Sequence, residues 1–214
     1  APQREKIEAH PTASPSAWED YTAALVLLDR VDRPENLGRA IGRLQAAVRA
    51  DPGFAAAHAA LGRAYWDRYR ETADAAWADR ARDAVQEALR IAPEAAEARL
   101  ALGVIYRGRG KTPEALQEVR KALALRPNSD DVQRQLSYLL LEDGQGDAAL
   151  EAARRAVALR DGFGENHNAM GWVLYQTGRF AEAAAAYRRQ TELQPDNAWA
   201  FQMLGTSLMM LGDL

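Results

Sequence analysis

The segment Tyr106–Leu116, YRGRGKTPEAL, contains Gly110-Lys111-Thr112, the last three residues of a phosphate-binding loop of the form G-x-x-x-x-G-K-[ST]. In that loop backbone N–H groups wrap the phosphates and the lysine meets their outer oxygens. It therefore needs a second glycine five residues upstream, a β-strand before it and a helix opening at the lysine. The upstream position is Ile105, and the residues on either side are rich in Ala, Leu, Arg and Glu, which favour helix over strand. Nucleotide binding is rejected on those grounds. The histidines are His10, His58 and His167, and none stands in a His-x-x-x-His or His–Glu pairing. With no cysteine in the chain, thiolate metal sites and thiol nucleophiles are also excluded. Acidic residues alternate with arginine along helical faces, as solvated i,i+4 pairs do. The glycine-rich GFGEN at Gly162–Asn166 reads as a turn. No catalytic residue, metal ligand or cofactor site is expected.

The elements that carry these residues are helical. Runs of Val, Ile and Thr with period-two alternation are missing, and glycine and proline punctuate long Ala/Leu/Arg/Glu segments. A formal net charge of −3 argues against a nucleic-acid partner held by bulk positive charge. No apolar run approaches the roughly 20 residues that cross a bilayer, so this segment is not expected to insert into a membrane. The absence of cysteine removes redox chemistry as a guide to compartment. The sequence opens at Ala1 without methionine or a signal-peptide pattern, which fits a processed or shortened polypeptide.

Internal repetition is the dominant feature. Pro93 and Pro127 lie 34 residues apart, and Pro195 follows two periods later with Asp161 between. The same period relates Gly110, Gly144, Gly178 and Gly212, and also Gly103, Ser137, Gly171 and Gly205. It relates Leu102, Leu136, Met170 and Leu204, then Ala115, Ala149 and Ala183, and Ala122 with Ala156. A register held over more than half the chain is the mark of a repeat architecture.

In ARLALGVIYRGRGKTPEALQEVRKALALRP this register resembles the tetratricopeptide repeat, a helix–turn–helix unit with small residues where its two helices cross. Leu102, Gly103 and Tyr106 match its first helix, Ala115, Val119 and Ala122 its second, and Pro127 its end. An upstream copy shows Leu61, Gly62, Tyr65, Ala81, Val85, Ala88 and Pro93 and is seven residues longer, around RYRETADAAWAD. That insertion should extend the helices or their loop. A weaker copy spans about Ser16–Pro52, with Ala40, Leu44 and Ala47 on its second helix. The resemblance implies an all-α, right-handed superhelical solenoid of antiparallel helix pairs. Its expected divisions are a tail over 1–15, then repeats over 16–54, 55–95, 96–129, 130–163 and 164–197, and a partial repeat over 198–214.

Elementary packing accounts for the pattern. Small residues one period apart let helix backbones approach closely while Leu and Tyr a turn away fill the remaining space. A single pair cannot bury its apolar face alone, so neighbours stack. Gly110 at the end of a first helix suits a left-handed cap, Thr112 reads as the next N-cap, and Pro113 as the first helical residue. Asp32 or Arg33 before Pro34, and Asp147 after Gly146, suggest similar starts. His58 and His167 occupy one equivalent position and read as packing residues.

The resemblance also implies a function. In this family the first helices line a concave groove for an extended peptide or a partner helix. Carried over by position, the partner-binding residues are Arg63, Trp66, Arg107, Arg134, Tyr138, Asn168, Trp172, Tyr175, Trp199 and Gln202. Arginine and aromatics dominate binding hot spots, and the mix suggests a ligand with apolar side chains and some negative charge. The family's carboxylate clamp expects lysine then asparagine four residues on, where this chain has Ala59 and Arg63, then Leu100 and Val104. A protein-interaction scaffold is the expected function. The alternatives are self-association through the partial repeat, whose helix is apolar at Phe201, Met203, Leu204, Leu208, Met209 and Leu211, or a sensory module of a larger protein. The early repeats resemble bacterial segments attached to signalling proteins.

Overall fold

The computed structural model describes residues 12–30 and 33–212. Residues 1–11 of the expected tail, with His10, lie outside the described residues, as do Asp32 and the last two positions. Every regular element among the described residues is an α-helix. In chain order they are α1 (Pro15–Leu28), α2 (Pro34–Ala50), α3 (Ala55–Thr72), α4 (Ala75–Ile91), α5 (Ala96–Gly108) and α6 (Thr112–Leu125). They continue with α7 (Asp130–Glu142), α8 (Gly146–Leu159), α9 (Gly164–Gln176), α10 (Phe180–Leu193) and α11 (Ala198–Met209). The fold is all-α, of the tetratricopeptide type. Packing divides the chain into two compact units, Ala1–Ala101 and Leu102–Leu214, with the division inside α5.

In the first unit α1 packs on α2, α2 on α3 and α3 on α4. Ala17, Tyr21 and Ala24 of α1 are buried, and Tyr21 and Trp18 meet Phe54 with ring centroids 4.9 and 6.4 Å apart. The seven-residue insertion is spent on helix. α3 and α4 run 18 and 17 residues where α5 and α6 run 13 and 14. The turn between α3 and α4 consequently has no glycine, and Ala73 takes the left-handed conformation at φ 55°. Trp66 and Tyr65 of α3 are buried; the Tyr65 hydroxyl accepts from the Gln45 amide at 2.9 Å and its ring meets Trp77 at 5.5 Å.

In the second unit α6 packs on α7, α7 on α8, α8 on α9, α9 on α10 and α10 on α11, while α7 also touches α9. The α7–α9 contact brings first helices of successive repeats side by side. Gly110, Gly144, Gly178 and Gly212 all have φ between 71° and 78°. At the first three the following residue's N–H bonds back to the carbonyl five residues earlier: Lys111 to Tyr106, Gln145 to Leu140 and Arg179 to Leu174, at 2.8–2.9 Å. This double-capped turn lets each first helix end and its partner begin within a few residues. The expected N-cap shifts by one residue, because α6 already includes Thr112 and the cap is Lys111, with no side-chain bond. Asp147 falls in the first turn of α8, where the helix dipole favours a carboxylate.

The repeat register is a packing register. A β-carbon at Gly62 or Gly103 would come within 2.5 or 2.6 Å of a Val85 or Val119 methyl on the paired helix. At Gly171 it would meet the Tyr187 ring at 2.9 Å. At Gly205, the same register position on α11, nothing lies within 4 Å.

Candidate functional site

The Gly110-Lys111-Thr112 segment is a turn between helices. Ile105 is buried in α5, the helix that precedes the turn where a phosphate loop needs a strand, and the Lys111 side chain is 54% exposed, 4.0 Å from Glu114. Among the described residues no group of His, Asp and Glu could hold a metal ion. His167 is a packing residue with a backbone partner, its Nε2 lying 2.8 Å from the Asp161 carbonyl. His58 meets the Pro52 carbonyl in the same way at 3.1 Å.

The ten residues expected to meet a partner separate by unit. Arg63 and Trp66 belong to the first unit, where Arg63 is half-buried and Trp66 is only 2% exposed, its ring 4.9 Å from Tyr69. Trp66 presents almost no surface to a ligand in this structure. In the second unit Arg107, Tyr138 and Asn168 meet across three first helices. The Arg107 guanidinium lies over the Tyr138 ring at 4.6 Å, and the Asn168 amide donates to the Tyr138 hydroxyl at 3.3 Å. Arg134, one turn before Tyr138 on α7, donates to Asp131 and sits over Phe163 at 5.6 Å. Trp172 and Tyr175 stack on α9 with centroids 6.4 Å apart and planes 16° apart, and Phe180 meets Tyr175 edge-on at 5.4 Å. Trp199 is 49% exposed and Gln202 is exposed, both on α11.

Several residues of this region were not legible as candidates. Glu142 receives the Arg107 guanidinium at 2.7 Å. Glu165, at the start of α9, acts on the Tyr138 hydroxyl, whose burial pushes its pKa above the ordinary tyrosine value. Tyr187 of α10 is fully buried with its hydroxyl unpartnered, and burial, then Tyr138 and Tyr175, push that hydroxyl upward as well. Gln190, 1% exposed, donates to Gln194 at 3.1 Å; Gln194 accepts from Asn197 at 3.0 Å and donates to Glu165 at 3.4 Å. The signal for Tyr187 and Gln190 lay in the register. Their equivalents are Val85, Val119 and Ala153, and Ala88, Ala122 and Ala156.

These features define a class: a stack of tetratricopeptide-type helix pairs whose first helices carry a polar and aromatic face. Tetratricopeptide-repeat profiles match residues 35–85, 78–130 and 164–197, and the chain belongs to the tetratricopeptide-repeat family. Proteins of this family are generally non-catalytic scaffolds for protein–protein interaction. The comparison with curated proteins gave no match. Among solved structures the chain is similar to TTC0263, a tetratricopeptide protein of Thermus thermophilus, at 18% identity and a TM-score of 0.71. That match covers 90% of this chain and 99% of the other. It is similar to the type IV pilus biogenesis factor PilW at 18% identity and a TM-score of 0.67, covering 94% and 88%. The first such domain of Spaghetti (RPAP3), bound to the HSP90 peptide SRMEEVD, matches at 22% identity and a TM-score of 0.52, covering 55% of this chain and 95% of that one. At these identities the likeness is one of fold.

Proposed function

We propose that this chain is a non-catalytic docking scaffold and that a peptide or partner segment lies along the first-helix face of the second unit. The observation that carries this reading is the linkage of Arg107, Tyr138 and Asn168 across α5, α7 and α9. Residues from three repeats, far apart in sequence, form one surface beside the Trp172–Tyr175 stack. Aromatics and arginine at a partly desolvated surface are the anchors protein interfaces use. The HSP90 peptide bound to the RPAP3 domain belongs to that protein and lends only the general idea of peptide binding. Among the described residues no metal-binding cluster competes with this reading.

The test is a peptide selection from a random display library on the whole chain. Selected peptides should lose binding to Tyr138→Ala and Trp172→Ala while keeping it to Arg155→Ala on an exposed position of α8. Peptides that bind all three variants equally would remove the face assignment.

A second reading has its own observation. Phe201, Met209, Met210 and Leu211 are each 41–60% exposed in or just beyond α11, and Gly205 faces open space. That apolar surface favours self-association. Light scattering across a wide concentration range decides it, since a strict monomer at high concentration removes the idea.

A further inference from the structure

Both arginines on the first-helix face of the second unit are already engaged. Arg107 is held by Glu142 at 2.7 Å and Arg134 by Asp131. What remains is acid. Counting Arg107 of α5, the first helices of this unit carry Asp130, Asp131, Glu142 and Glu165 against Arg107 and Arg134, so pairing leaves two carboxylates over. Each second helix, α6, α8 and α10, carries two acids and two bases, so the negative bias belongs to the first-helix layer. Two of those acids have amides rather than cations beside them. Asp130 accepts from the Asn166 amide at 3.1 Å and Glu165 from the Gln194 amide at 3.4 Å.

The aromatic residues make the same point independently. Three other half-buried rings of this chain carry a cation of their own. Arg80 lies over Trp77 at 4.6 Å, Arg107 over Tyr138 at 4.6 Å, and Arg160 over Phe163 at 4.2 Å. Among the described residues no cation lies over Trp172, Tyr175 or Phe180, although their rings form a connected, partly exposed group. A ring face of this kind attracts an ammonium or guanidinium by its quadrupole, most strongly where water is partly excluded. Glu165, Asn168, Trp172 and Tyr175 stand at intervals of three, four and three on α9, and so form one stripe. Glu165 and Trp172 are about 10 Å apart along the axis, at 1.5 Å per residue. An extended peptide covers that length in about three residues.

We propose that this face takes a basic partner segment, with one Arg or Lys side chain over the Trp172–Tyr175 pair and a second, about three residues away, at Glu165. The proposal rests on the reading of the face as a binding surface and reverses the sign of ligand charge that Arg107 and Arg134 suggest in isolation. Asn168, between the two anchor points, is placed to bond the backbone of the segment.

The whole chain labelled with 5-fluorotryptophan tests it. Its five tryptophans give separate fluorine resonances, and Trp172→Phe identifies that of Trp172. Titration with the capped hexapeptide GRAARG at low salt should shift the Trp172 resonance, and the acidic counterpart GEAAEG should not. Tyr175→Leu should weaken the basic peptide roughly 2- to 30-fold, the span of a cation–π contact. Glu165→Gln, which keeps the side chain's shape and its capacity to bond Gln194, should weaken it at low salt and make little difference at high salt. Equal shifts by both peptides, a shift by the acidic one alone, or no shift by either overturns the proposal. The two readings fail separately. Library peptides that need Tyr138 and Trp172 but carry no basic residues would leave the docking face standing and remove its cationic ligand.

Discussion

Gly62 and Gly42 form a matched pair, both within helices of the first unit, α3 and α2. Substituting alanine at either removes the same backbone freedom and gains about 1 kcal/mol of helix propensity. Their surroundings differ. At Gly42 an added β-carbon meets nothing within 4 Å, whereas at Gly62 it meets Val85 Cγ2 at 2.5 Å, the Ala81 carbonyl oxygen at 3.0 Å and the Val85 nitrogen at 3.2 Å. Val85 is buried and β-branched, with little rotamer freedom in a helix, and two of the three neighbours are backbone atoms. Relief therefore requires α3 and α4 to move apart, an overpacking cost of about 1–3 kcal/mol. Gly42→Ala should raise stability by about 1 kcal/mol, and Gly62→Ala should lie about 1–3 kcal/mol below it. Urea titrations followed by circular dichroism measure both, read as midpoints at unchanged slope. Because both sites lie in one unit, uneven unfolding along a repeat array does not confuse the comparison. Equal upward shifts would refute the claim that the repeat glycine exists for close helix approach.

Five further outcomes are expected. Ala73→Gly should stabilise the chain by up to about 1 kcal/mol, since Ala73 at φ 55° holds a left-handed conformation that costs a β-carbon about that much; a fall in melting temperature would contradict it. Gly144→Ala, at φ 78°, should lose about the same amount, while Lys111→Ala at the exposed turn should stay within about 0.5 kcal/mol of the parent, with melting temperatures deciding both. Tyr187→Phe should be neutral or stabilising, because it removes a buried hydroxyl with no partner. Burial raises the pKa of Tyr138 and Tyr187 above the ordinary tyrosine value of about 10. The protein therefore keeps this contribution below that pH and loses it as pH rises, when the unfolded chain ionises first. Urea midpoints at about pH 9 and about pH 11 should accordingly fall less steeply in Tyr187→Phe.

The periodic part of this molecule was legible because packing enforces it. Gly103 and Val119 must touch, so their types recur one period away at Gly62 and Val85, though the insertion stretches the first interval to 41 residues. Glycine was also readable as the left-handed residue at 110, 144, 178 and 212, where the turn requires positive φ. The fate of the insertion was not readable. Helix and loop both tolerate RYRETADAAWAD, and the lengths of α3 and α4 show that the helices gained, with Tyr65 and Trp77 meeting across them. Position alone likewise does not reveal that Trp66 is enclosed.

The charge of the first-helix face is hard to read from the sequence for a related reason. Arg107 and Glu142 are 35 residues apart, one period plus one, and meet only because successive repeats stack. A scan of one helix at a time sees the arginine and not its neutraliser. The register positions that face across repeats vary in this chain as Arg134, Asn168 and Gln202, and as Tyr138, Trp172 and Thr206. These positions carry no close-approach constraint of the kind that fixes Gly103, and so they are free to specialise. Their charges can be assigned only after every inter-repeat pair is subtracted. Subtraction leaves Asp130 and Glu165 with amide neighbours and the Trp172–Tyr175 stack with no cation over it, a surface complementary to a basic segment rather than an acidic one.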